Sequence, residues 1–242
     1  MAEQTQAGFE EALESLDTSL FAHVRTQTGE EDRLSMLALH NACRRSYGEF
    51  SYLEIGSHLG GSLQVLIVDD RCVQIVSIDS RPERQPDARG LVVDYPDNKT
   101  QRMLDRLASV PGANLEKLHT IEATTADLPP DDLPTRPQLC FIDAEHTDAA
   151  ALRDARFCRA ATRESGAIVF HDRRVVRGAI ERFLEELGTV RHDGYPLLGS
   201  IYVVEVGETR LRRFVEELLA DRGEPKPFLT DHPARRFPPD SA

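Results

Sequence analysis

Apolar side chains recur at helical spacing near the start of the chain. Phe9, Leu13, Leu16 and Leu20 form one stripe, and Leu34, Leu37 and Ala38 open a second after the break at Thr28-Gly29. This spacing predicts two helices within the first 48 residues. From Phe50 the period changes, and short β-rich runs alternate with helical stretches: SYLEI and a helix from about residue 60, CVQIVSID and a helix over 99–110, KLHTIEA and a proline-rich loop, QLCFID and a helix over 147–162, GAIVFHD and a helix over 176–187. Strands alternating with helices predict a parallel sheet covered on both faces, because each return to a parallel neighbour needs a crossover. GYPLLGSIYVVEVG breaks the alternation, offering one or two strands around a turn at Leu198-Gly199 with no helix between, so an antiparallel strand closes the sheet. A last amphipathic helix over 210–220 precedes a tail rich in proline and charge.

Composition narrows the class. Among 242 residues, 41 acidic side chains outnumber 29 basic ones for a formal net charge of -12, which opposes attraction to nucleic acid and anionic lipid. No apolar run approaches the roughly 18 to 20 residues that span a bilayer, and the acidic start MAEQTQAGFEEALESL is unlike a leader. The expectation is a cytoplasmic enzyme with neither a nucleic-acid nor a membrane partner. Cys43, Cys72, Cys140 and Cys158 form no CxxC pair and read as buried thiols.

The most informative segment is YLEIGSHLGGS, residues 52–62. A strand delivers Glu54 near its carboxyl end, Gly56 permits a tight turn against a ligand, and Gly60-Gly61 open a helix whose free N–H groups suit an anionic group. The spacing Gly-x-x-x-Gly-Gly departs from the dinucleotide fingerprint Gly-x-Gly-x-x-Gly and disfavours a nicotinamide cofactor. The second strand ends at Asp79, 23 residues beyond Gly56, where a carboxylate accepts both hydrogen bonds of a ribose diol or caps the following turn.

With these two motifs, residues 50–206 resemble the class I S-adenosylmethionine-dependent methyltransferases. QLCFIDAEHTDAAALRD followed by GAIVFHD is similar to the small-molecule O-methyltransferase branch, whose fourth and fifth strands end in Ile-Asp-x-x-His and His-Asp. The resemblance implies a Rossmann-like α/β fold: a seven-stranded, mostly parallel sheet with the last strand antiparallel, plus an N-terminal helical extension. It divides the chain into that extension (1–48), a lid or an oligomer interface, the methyltransferase domain (49–222) and the proline-rich tail (223–242). Implied cofactor contacts are Glu54, Gly56, Ser57, Gly60 and Ser62 in the loop, Asp79 and Ser80 after the second strand, Thr124 with Ala123 and Asp127 around the adenine, and Asp143. In catechol-type relatives the serine at the position of Ser62 meets the methionine carboxylate.

Methyl transfer from a sulfonium is an in-line displacement, so the enzyme must align a nucleophile, assist its deprotonation and exclude water. Asp143, Glu145 and His146 after the fourth strand and His171 and Asp172 after the fifth are the candidates, since adjacent strands lie about 4.8 Å apart and both clusters can face one pocket. The same residue types also cap strand ends. Two mechanisms stay open. In metal-dependent relatives, carboxylates at the positions of Asp143 and Asp172 hold magnesium, with Glu145 or His171 available to complete the sphere. Against this, Arg173 stands where catechol-type enzymes carry asparagine, and it cannot coordinate a cation. In the second mechanism His146, at the offset of the catechol-type lysine base, takes the proton, with His171 as second choice.

The function implied is O-methylation of a small hydroxylated acceptor, with S-adenosylmethionine as donor and Mg2+ as an open second cofactor. A non-catalytic nucleoside-binding or assembly module is the alternative. Arg81, Arg84, Arg89, Arg173 and Arg174 are expected at the pocket rim, as a clamp for an acidic substrate or as a solvated loop. The helical stripes suggest a homo-oligomer.

Overall fold

The computed structural model describes residues 6–223. The tail expected at 223–242 therefore lies, apart from its first residue, outside the described residues. Two helices come first, α1 (Gln6–Glu14) and α2 (Glu30–Tyr47). α2 carries Glu30, Glu31 and Asp32 in its first turn and Arg44 and Arg45 in its last, the order that complements the helix dipole. Then follow β1 (Phe50–Ile55), the single turn α3 (Leu63–Leu66), β2 (Cys72–Ile78), a two-stranded ribbon β3 (Arg84–Pro86) and β4 (Val92–Asp94), α4 (Thr100–Ala108) and β5 (Leu118–Ile121). The chain continues through β6 (Leu139–Ile142), α5 (Asp148–Ala161), β7 (Gly166–Phe170), α6 (Arg177–Leu187), β8 (His192–Pro196), β9 (Tyr202–Val206) and α7 (Leu211–Leu219).

Seven strands form one sheet in the order β5-β2-β1-β6-β7-β9-β8. β9 runs antiparallel to both β7 and β8, and the pairs among β5, β2, β1, β6 and β7 are parallel. β1, β6, β7 and β9 are buried along their whole length, which is why they read as near-continuous apolar runs. Alternate residues feed two cores. Tyr52, Phe141, Val169 and Val203 pack beneath α1, α2, α3 and α7, while Leu53, Cys140, Ile168 and Val204 pack against α5 and α6. All four cysteines are buried and unbridged.

Phe9, Leu13, Leu37 and Ala38 belong to the first core, and α2 lies along α7. The N-terminal stripes thus pack inside the chain, against the first core. Two elements differ from the sequence reading. The helix expected from residue 60 is only α3, preceded by turns. The β3–β4 ribbon was not expected, since Leu91 and Val92 are exposed and the segment lacks a buried face to impose alternation.

Register sets up the site. Ile55 pairs with Ile78 and Ile142, Ile78 with Ile121, and Ile142 with Phe170. The ladder runs one residue further, with Gly56 N donating to Ile78 O, Asp79 N to Ile121 O, Asp143 N to Ile55 O and His171 N to Ile142 O, at 2.9 to 3.1 Å. Gly56, Asp79, Asp143 and His171 therefore stand level along one edge of the sheet, four residues scattered over more than a hundred positions of sequence.

Candidate active site at the carboxyl edge of the sheet

A cleft of about 230 Å3 opens above this edge, lined by Gly56 and Asp79 on one side and by Asp143, His146, His171 and Asp172 on the other. Gly56 has φ 91°, and a Cβ there would lie 2.6 Å from Ala144 Cα and collide with the Asp143 carbonyl. Only glycine lets the loop after β1 pass so close to the exit of β6. Asp79 accepts backbone hydrogen bonds from His58 (2.9 Å) and Arg81 (2.7 Å), and the Arg81 guanidinium lies 3.4 Å away. These bonds fix its carboxylate at the cleft wall. Each oxygen retains a lone pair for a further donor.

The other loop residues are placed differently from one another. Glu54 is fully buried and accepts from Tyr52 Oη (2.7 Å) and Ser62 Oγ (2.6 Å). Burial pushes its carboxyl up to about 7, against the lowering effect of the Ser62 and Tyr52 hydroxyls. The Ser62 proton is thus directed at Glu54, not at the cleft. Ser57 is buried and accepts from Ser77 Oγ at 2.8 Å. Gly60 and Gly61 serve packing: a Cβ on Gly60 would meet Met103 and Leu107 at 3.0 Å, and one on Gly61 would meet Arg25 O and Thr26 at 2.7 Å. Gly60 N already donates to Ser57 O, so the expected row of free N–H groups is reduced. Ser80 is exposed, and Thr124 donates to Asp127 at 2.6 Å in the loop after β5; neither lines the cleft.

The opposite wall is a network of carboxylates and imidazoles. His146 Nε2 lies 3.2 Å from Asp172 Oδ2 and 3.5 Å from Asp143 Oδ1, and its Nδ1 is 3.2 Å from Asp87 Oδ2. His171 Nδ1 lies 3.0 Å from Asp143 Oδ1, and its Nε2 is 3.1 Å from Ser200 Oγ and 3.5 Å from Asp32 Oδ2. Asp32 is held in turn by Ser200 N (2.6 Å), Ser200 Oγ (3.0 Å) and Gly29 N (3.1 Å). The hydrogen bond to Asp143 raises the basicity of His146. For His171, burial opposes the charge, but Asp143, Asp32 and Asp172 overcome it and hold the ring well above the usual imidazole range. Asp143 is the reciprocal case, with burial outweighed by His171 and His146, so its carboxyl sits well below the ordinary range.

Asp32, Asp87 and Ser200 escaped the sequence reading. Asp32 resembles an ordinary helix-start residue, Ser200 sits in a turn, and Asp87 lies in a segment without periodicity; none follows a parallel strand. The available signal was Gly199, whose φ of 67° and close approach to the Asp32 carboxylate mark a crowded turn.

Asp143, His146 and Asp172 each aim one ligand-type atom into a space where those atoms lie within 4.8 Å of one another. The set does not fit magnesium. That ion demands near-octahedral oxygen ligation, whereas here an imidazole nitrogen stands between the two carboxylates. Glu145 accepts from Thr147 Oγ1 at 2.8 Å beside the start of α5 and is not part of this cluster. Arg173 is fully buried and donates to Leu197 O (3.1 Å) and Ile201 O (3.3 Å), pinning the β8–β9 turn. It is therefore no rim residue. Arg81, Arg84 and Arg89 are paired with Asp79, Asp94 and Asp87, and Arg174 is exposed outside the cleft, so the expected arginine clamp does not form.

The topology defines a doubly wound α/β protein, with this constellation a candidate site at the strand carboxyl ends, beside the reversal in strand order between β1 and β6. The chain belongs to the methyltransferase-domain family, whose model matches residues 53–173, half of the sequence. No curated protein matches it. Among solved structures, it is similar to a putative O-methyltransferase from Klebsiella pneumoniae, at 15% identity over 83% of this chain and 90% of that one, with a TM-score of 0.48. It is also similar to the O-methyltransferase TomG from Streptomyces achromogenes, involved in tomaymycin synthesis and solved with SAM (15%, 82% and 90%, TM-score 0.49). The O-methyltransferase from Bacillus cereus, solved with SAH, stands at 14% identity, 83% and 90% coverage, and a TM-score of 0.49.

Proposed function

We propose that this methyltransferase-family chain uses S-adenosylmethionine to methylate a hydroxyl of a small, hydroxyl-rich and uncharged metabolite. The observation that carries the reading is the placement of Asp79 and Gly56 on one wall of the cleft, facing the Asp143–His146–Asp172 group on the other. Asp79 is positioned to accept a ribose diol. When bound, the donor supplies an electrophilic methyl group on a sulfonium. Across the cleft, His146 Nε2 takes the acceptor's hydroxyl proton, and Asp143 and Asp172 stabilise the imidazolium that forms. As the acceptor oxygen bonds to the methyl carbon, the carbon–sulfur pair returns to sulfur. No step requires a metal ion.

The acceptor class follows from the lining. Asp32, Asp143, Asp172, Gln27, Gln85 and Ser200 present oxygens and amides to the cleft, while its nearby arginines are committed elsewhere. An acidic acceptor would face these carboxylates with no uncommitted cation, since the His171 ring is already paired with Asp143 and Asp32. A polyol or glycosylated molecule finds donors and acceptors instead.

Calorimetry with S-adenosylmethionine is the direct test. Saturable binding is expected, weakened at least tenfold in Asp79→Ala; a null titration of the folded chain overturns the reading. Mass spectrometry after incubation with a panel of hydroxylated acceptors should then show a gain of one methyl group. Donor binding without turnover, and indifference of biological activity to His146→Ala, would favour a non-catalytic module.

A further inference from the structure

Asp87 follows β3 of the ribbon and lies 59 residues from His146 in sequence. Its side chain is fully buried although the Arg89 that clasps it is about half exposed (53%). One carboxylate oxygen, Oδ1, is used locally, accepting from Arg89 N (2.8 Å) and Arg89 Nε (2.7 Å). Arg89 Nη2 reaches the second oxygen, Oδ2, at 2.5 Å, and the same Oδ2 is turned inward, 3.2 Å from His146 Nδ1. The backbones are tied as well: Asp87 and His146 form a parallel bridge, and Ala88 N donates to His146 O at 2.8 Å. A carboxylate that only closed the ribbon's turn would need neither its burial nor this second contact. Burying a charge is costly unless it is paired, and here the inward partner is the imidazole.

We infer that Asp87 is a positioning residue, delivered by the ribbon to hold His146 with its Nδ1 protonated and its Nε2 facing Asp143 and Asp172. The two ring nitrogens of histidine are not equivalent, and the group bonded to one decides what the other can do. With Nδ1–H bound to Asp87, the lone pair of the neutral ring is on Nε2, the atom that faces the cleft. With Asp87 removed, the alternative tautomer places a proton on Nε2, where Asp143 and Asp172 welcome it, and the ring can no longer accept one from a substrate. The ribbon thereby acquires a purpose that its exposed, weakly patterned sequence does not suggest. The catalytic consequence rests on the reading of His146 as proton acceptor; the tautomer itself does not.

The experiment uses the full chain labelled with 15N-histidine, with His146→Gln to assign the ring. Wild type is expected to show a downfield, exchange-protected Nδ1–H resonance from His146, and Asp87→Asn to lose it while still unfolding in a single cooperative transition. Arg89→Ala, which leaves the carboxylate in place, should keep it. Absence of that resonance from wild type overturns the inference, as does its persistence in folded Asp87→Asn; should that variant not fold, the wild-type spectrum alone still decides. With an acceptor in hand, Asp87→Asn is expected to lower kcat about 10- to 100-fold with donor affinity within twofold of wild type. Calorimetry on wild type separates the two questions: failure to bind S-adenosylmethionine removes the methyl-transfer reading and leaves the Asp87–His146 assignment to the spectra.

Discussion

Glu54 carries the least conspicuous charge in the cleft region and the clearest pH signature. Its carboxyl rises from an ordinary 4.5 to about 7 because it is wholly buried. Between those values the folded chain holds a proton that the unfolded chain has released, so stability falls as pH rises through that window and levels off above it. The shift corresponds to roughly 3 kcal/mol. Glu54→Gln should flatten that limb, as read by urea unfolding at pH 5 and pH 8; a wild-type slope in the variant would place the proton elsewhere. His171 works with the same sign of shift but the opposite charge, contributing stability below the ordinary imidazole range and losing it as pH rises through its raised value. Asp143 and Asp32 contribute above the ordinary carboxylate range and lose it in acid. For turnover, His146→Ala is expected to cost about 10²- to 10⁴-fold in kcat with donor binding retained. Because His146 is made more basic by Asp143, the rate should climb with pH and reach its plateau above the range usual for imidazole. Asp79, Asp143, His146 and His171 were legible because each follows a β-rich run; the inward turn of Ser62 toward Glu54 was not, since no linear spacing reports a side chain's direction.

Among the elements, the turn after β1 and the β8–β9 turn are the most constrained. Gly56→Ala introduces a Cβ at φ 91° against the Asp143–Ala144 backbone, so it should lower stability by at least about 1–3 kcal/mol and abolish donor binding together. Differential scanning calorimetry with and without S-adenosylmethionine checks both. Arg173→Met removes the guanidinium donor from the Leu197 carbonyl, leaving the Ile201 carbonyl only its bond from Leu197 N, and should cost about 1–3 kcal/mol in denaturant unfolding. Sequence alone makes Arg173 look like a rim cation; its partners lie on a hairpin more than twenty residues later, beyond the reach of local pattern. The ribbon was invisible for a related reason, since periodicity records burial and its strands are half solvated.

For the molecule as a whole, the N-terminal helices are structural members of one sheet face. A chain lacking residues 1–48 should fail to unfold cooperatively by circular dichroism, because Phe9, Leu13, Leu37 and Ala38 would leave the first core open to water; a sharp transition in the truncated chain would show instead an independent domain. No helix among the described residues is long and apolar enough to cross a membrane. Apart from the β3–β4 ribbon, the order of strands and helices, the antiparallel closure and the strand-end carboxylates and imidazoles could be read from the chain, because burial imposes its period directly on the residues that are buried. The pairing of Asp32, Asp87 and Ser200 with the two histidines, the poor fit of the Asp143–His146–Asp172 group to magnesium, and the inward commitment of Arg173 came only with the packed fold. These depend on side chains from separate elements meeting at a few ångströms, and such meetings leave no periodic trace in the order of residues.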